Sequence, residues 1–148
     1  MKKDAVSLKF TAIAIKAGIV LSFIALFAMP YAAHLYKYVS IGSNDVTLPL
    51  LITFYLCAAA GFVILFILDR LVNNIRKEEV FTKQNVKYLR TLSYCCFFIA
   101  VVCLVFAAFR FLSLIITFGA LFFALILRVI KNCFEEAVRL KEENDYTI

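Results

Sequence analysis

Five cysteines, at positions 57, 95, 96, 103 and 133, and one histidine, His34, are the side chains here best suited to redox, metal or nucleophilic chemistry. Their spacing argues against each. Four-helix membrane redox enzymes use a Cys-x-x-Cys pair, whereas Cys95 and Cys96 adjoin, and an odd number of thiols supports no disulfide framework. Cys96 and Cys103 share a helical stripe, which suits small polarizable packing residues. One imidazole cannot supply a bis-histidine haem or a zinc site. No acid accompanies His34 to complete a hydrolytic triad. It stands among Tyr31, Tyr36 and Tyr38, where an interfacial anchor in an aromatic belt is the expected role, with pH sensing at that surface the alternative. No catalytic group, metal site or cofactor is therefore expected, and the chain is not expected to be an enzyme.

Proton-coupled export by small four-helix proteins needs a carboxylate in mid-helix. This sequence has long runs free of all charge, at 17–36, 46–68, 91–109 and 111–127, so none of them contains Asp or Glu. Asp69 and Arg70 fall just past the second run. Lys16, just ahead of the first, is the possible intramembrane functional residue, although a lysine so near a helix end ordinarily snorkels to the headgroups.

Those runs define the elements that would carry any site. The hydrophobic share is 64% and the charged share 18% over 148 residues, far from the roughly 45–50% apolar usage of soluble domains. A hydrocarbon core roughly 30 Å thick takes about 20 helical residues. Inside lipid each backbone group must be satisfied within its own segment, and nothing alternates as barrel strands do. The sequence predicts an all-α polytopic membrane protein, an antiparallel bundle of four transmembrane helices in a single domain. Spans are expected near 12–36, 47–70, 88–109 and 111–131, with a loop at 71–87 and a tail at 132–148. Arg110 alone separates the last two runs, so a tight hairpin is expected there rather than one long helix.

Of the 16 Lys and Arg residues, all but Lys37 and Arg110 fall on one side of this topology. The positive-inside bias puts both termini and the central loop in the cytoplasm. The net charge of +6 then reflects topology and contact with anionic lipid of the inner leaflet, and no nucleic-acid binding is expected. The first helix is long enough to span and is expected to be retained rather than cleaved as a signal.

Small residues recur at helical spacing: Ala14, Gly18, Ser22 and Ala25; Cys57 and Gly61; Ser113, Thr117, Ala120 and Ala124. Such faces admit close helix packing, within the chain or in a homo-oligomer. Pro30 is expected to kink or end the first helix. The second should project past the membrane through Leu71, Val72 and Ile75, and break at 78–80. Thr82 is a plausible N-cap for the third, with Phe81 and Val86 as a hydrophobic staple. Ile130, Phe134, Ala137 and Val138 form a further apolar stripe, with Glu135 four residues ahead of Arg139, so the tail should be helical to about Lys141.

The segment Phe81-Thr82-Lys83-Gln84-Asn85-Val86-Lys87-Tyr88-Leu89-Arg90 is similar to a Pro-Phe-Thr-x-Glu-Asn-x-x-x-Leu-Arg signature. The terminus Leu140-Lys141-Glu142-Glu143-Asn144-Asp145-Tyr146-Thr147-Ile148 is similar to Leu-Lys-Glu-Glu-Asn-Asp-Leu-Thr-Ile. With four spans around these motifs, the chain resembles the YoaS-like bacterial membrane proteins, a family catalogued as a domain of unknown function. Val80, Gln84 and Tyr146 depart from the pattern, and the first two soften the expected cap and turn. The resemblance implies no assigned catalytic residue, and it implies regulation, because its members are often encoded beside a small helix-turn-helix regulator.

The resulting expectation is a bacterial inner-membrane sensor or anchor in which corner and tail form a docking surface, with Phe81, Asn85, Leu89, Asp145 and Thr147 its first candidates. Corner and tail could instead simply dock on each other. A small transporter, channel-like or envelope-stress protein, oligomeric in its working form, is the alternative.

Overall fold

The computed structural model describes residues 2–39 and 46–145, with side chains over 8–35 and 46–144. It contains four α-helices, α1 (Lys2–Val39), α2 (Thr47–Arg76), α3 (Lys83–Ala107) and α4 (Ser113–Asp145). All four are long and apolar enough to cross a membrane. By helix length and hydropathy this is a multi-pass membrane protein.

Helix order, which composition does not fix, follows the chain. α1 packs on α2, α2 on α3, and α3 on α4, and no other pair of helices makes contact among the described residues. The helices therefore pack as a sequential row, whose outer members α1 and α4 approach each other only as walls of one cavity at the hairpin end. Lipid explains why this is tolerable: apolar faces gain nothing by leaving hydrocarbon, so no hydrophobic drive closes the row. Large apolar side chains such as Phe27, Phe66, Phe118 and Phe122 are accordingly exposed.

The most extensive interface, α3 on α4, is built from small residues and hydroxyls. Ala100 is 1% exposed, and Ala124 is buried on the facing helix. Ser93 donates to the Ala124 carbonyl at 2.9 Å, and Ser113 to the Cys103 carbonyl at 2.8 Å. These bonds cross between helices where no water competes. The expected faces thus meet within the chain, and Gly18 of α1 does the same against α2, where an added Cβ would lie 3.3 Å from Leu65 Cδ2.

α3 and α4 are joined by a tight turn at 108–112, so the expected hairpin forms. Phe109 N–H and Arg110 N–H both return to the Phe106 carbonyl, and Ser113 N–H bonds the Arg110 carbonyl. Pro30, by contrast, does not end α1, which runs on to Val39. Proline lacks the N–H that would bond the carbonyl four residues back. The Tyr55 hydroxyl of α2 donates to that carbonyl, Leu26, at 3.4 Å, a long bond that supplies a partner for the freed oxygen.

Candidate functional site at the corner end

The chain reverses between α2 and α3 through a corner assembled from two caps. α2 ends in a Schellman motif: Glu79 N–H bonds the Asn74 carbonyl and Glu78 N–H the Ile75 carbonyl, each at 3.0 Å. Glu78 takes the left-handed position, φ 65°, that glycine ordinarily fills. α3 then opens at Thr82, whose extended backbone places its hydroxyl to accept from Asn85 N–H at 3.3 Å. The expected cap is present. Phe81, placed at the staple position, lies with its ring centroid 5.4 Å from that of Phe134 on α4.

Asn85 is fully buried. Its amide nitrogen donates to the carbonyls of Glu79 at 2.8 Å and Val80 at 2.7 Å, while its side-chain oxygen accepts from Asn74 at 2.8 Å. One side chain thereby satisfies the corner's inward carbonyls and ties it to the end of α2, as burial of polar backbone requires. Leu89 is buried beneath it and Phe81 is half exposed. Of the residues expected to form a docking surface, Phe81, Asn85 and Leu89 are gathered here, but only Phe81 presents itself to the outside. Thr147 and the side chain of Asp145 lie outside the described residues.

The end of α4 is held against this corner. Lys83 pairs with Glu142 at 2.8 Å and Arg90 with Glu135 at 3.4 Å, and within α4 Lys131 pairs with the same Glu135 at 2.6 Å. The Lys131 hydrogen bond and charge, with Arg90 beside them, hold the Glu135 carboxyl below its ordinary range. Exposed pairs of this kind contribute little singly, so Val86, Leu89 and Val138, all buried, supply the packing. The corner and the tail as far as Glu142 dock on each other.

A family model described as protein of unknown function (DUF2975) matches residues 20–148. The chain belongs to that family. No curated protein and no solved structure matches it.

Elsewhere in this DUF2975 chain, Lys16 is exposed on α1, as is His34 near the opposite end of the same helix. No group of three or more His, Cys, Asp or Glu residues suited to a metal ion gathers among the described residues. All five cysteines are free thiols. The approach that spacing along one helix could not reveal is between helices: Cys57 Sγ of α2 lies 3.9 Å from Cys103 Sγ of α3. Both border a cavity of about 620 Å³ at the hairpin end, walled by Ala33, Phe54, Phe106 and Ile116, with Arg110 contributing the charge.

Proposed function

We propose that this chain is an anchoring or sensing subunit of the bacterial inner membrane whose corner end lies in the cytoplasm and receives a soluble partner. A small helix-turn-helix transcription regulator is the first candidate, as the likeness to YoaS-like proteins suggests. The observation that carries the reading is the braced corner: α4 continues far past its apolar run to Asp145 and is fixed there by Phe81, Lys83 and Arg90. A helix that merely needed to leave the membrane would require no such bracing. The fixed end offers a rigid surface on which Phe81, Lys87, Glu136 and Arg139 are exposed, while Asn85 and Leu89 support it from within.

In this reading the chain is not an enzyme and needs no cofactor. The basic bias of the corner end supports its cytoplasmic placement. Photo-crosslinking residues at Lys87 and Glu136, with lipid-facing Phe122 as the control, test the partner directly. The expected result is one soluble regulator trapped from the first two positions and not from the third. Adducts with lipid alone at all three would contradict the reading.

A second reading, a small transporter or envelope-stress protein, rests on the cavity at the hairpin end. Its apolar wall and single cationic side chain suit an amphiphilic anion. Flux into proteoliposomes that disappears in Arg110→Gln would favour it, and flux equal to that of protein-free vesicles would count against it.

A further inference from the structure

We propose that the α3–α4 interface at the corner end binds an anionic phospholipid, holding the phosphate among Arg90, Arg128 and Lys131 and one acyl chain in the groove beneath. The inference rests on the chain spanning a bilayer, and is independent of any protein partner.

Arg90, Arg128 and Lys131 converge with Ser93 and Tyr94 on a pocket of about 180 Å³. Three cations are set against one carboxylate, Glu135, which bridges Arg90 and Lys131. Without that bridge their mutual repulsion would spread them. The Lys131 side chain is only 15% exposed, so its charge is held at the interface rather than dissolved in solvent. The Arg128 guanidinium carbon stands 5.9 Å from the centroid of the Tyr94 ring, close enough for a cation–π contact that orients the group. The residual positive charge calls for an anion, and guanidinium and ammonium donors suit phosphate oxygens.

The pocket does not stop there. Ser93, Tyr94 and Arg128 also form the mouth of a second, apolar groove of about 480 Å³, floored by Phe97, Leu121 and Leu125. A cationic compartment thus opens onto an apolar one that runs from Arg128 back into the charge-free part of α4. Arg128 follows the last residue of that run, the depth at which a phospholipid changes from headgroup to acyl chain. A soluble phosphate would use the upper compartment alone; an amphiphile matches both. Basic pockets between transmembrane helices are a known means of holding anionic headgroups.

The full chain in a zwitterionic detergent, titrated with phosphatidylglycerol, phosphatidylcholine, inorganic phosphate or glycerol phosphate, provides the test. Retained lipid is read by native mass spectrometry and binding by the thermal midpoint. Phosphatidylglycerol should bind at least tenfold tighter than phosphatidylcholine, and the two soluble phosphates should leave the midpoint unchanged at matched concentration. Arg128→Gln and Lys131→Gln should each weaken phosphatidylglycerol about fivefold, in keeping with the strength of a basic side chain at an anionic surface. Leu121→Trp, which fills the groove and leaves the cations in place, should weaken it as well, and serves where a charge variant fails to fold. Equal retention of the two lipids, or undiminished phosphatidylglycerol binding in both Arg128→Gln and Leu121→Trp, would overturn the proposal. A midpoint shift with glycerol phosphate equal to that with phosphatidylglycerol would overturn it too, in favour of a soluble phosphate.

Discussion

Asn74 at the end of α2 donates its side-chain amide to the side-chain oxygen of Asn85 in the first turn of α3 at 2.8 Å. Because Asn85 also donates to two corner carbonyls, the pair locks the connection on which the whole corner end is built.

Replacing Asn85 with Leu keeps the volume and strands three partners. A buried polar group left without its bond costs about 1–3 kcal/mol, so Asn85→Leu should lower stability by roughly 3 kcal/mol and Asn74→Ala by about 1 kcal/mol. Asn85→Asp should be as damaging as Leu, since a carboxylate would face the carbonyls of Glu79 and Val80. Unfolding in mixed detergent, followed by circular dichroism, measures all three. An unchanged midpoint for Asn85→Leu would remove this residue's structural role.

Glu78 holds a left-handed backbone, φ 65°, which is about 1 kcal/mol unfavourable for a residue with a Cβ. Glu78→Gly should therefore stabilise the protein by up to about 1 kcal/mol, and Glu78→Val should destabilise it by at least that much. The same unfolding measurement reads the sign. Stabilisation by valine would mean that the corner has another conformation.

Tyr55 and Pro30 should be coupled. If the tyrosine hydroxyl supplies the partner that proline denies to the Leu26 carbonyl, Tyr55→Phe should destabilise by about 0.6 kcal/mol, the average for such bonds between membrane helices. In a Pro30→Ala background, where an N–H at that position restores the helical bond, the loss should shrink toward zero. A double-mutant cycle gives the coupling, and strictly additive effects would contradict it.

How far these features can be read beforehand depends on the physical signal each leaves in the sequence. The four helices are legible because lipid demands uninterrupted apolar runs, and Thr82 because a capping residue precedes a periodic pattern. The sequential row is not, because all four helices expose toward lipid the same apolar residue types that line their contacts with one another. Asn85 is expected on the surface: a polar residue in the first turn of a helix looks solvated, and only the reversal of the chain brings Asn74 and the carbonyls of Glu79 and Val80 around it. The three cations of the α3–α4 pocket are legible as topology signals, but their convergence requires the hairpin to bring Tyr94 of α3 and Glu135 of α4, some forty residues apart, to the same end of the interface.

The α2–α3 register can be checked with the thiols themselves. In a chain lacking Cys95, Cys96 and Cys133, mild oxidation should join Cys57 to Cys103 within one molecule, given sulfurs 3.9 Å apart, and the product should migrate faster until reduced. Failure to cross-link, with both thiols still alkylated after unfolding, would mean that the two helices pack in another register.

The most direct test of the central claim, that the braced corner end faces the cytoplasm, is the sidedness of two single cysteines in a cysteine-free chain. They would replace Phe111 in the hairpin and Glu143 in the projecting end of α4, both exposed, and be probed with a membrane-impermeant maleimide. The account predicts labelling at position 111 in intact spheroplasts and at position 143 only after permeabilisation. Labelling of position 143 in intact spheroplasts would contradict it.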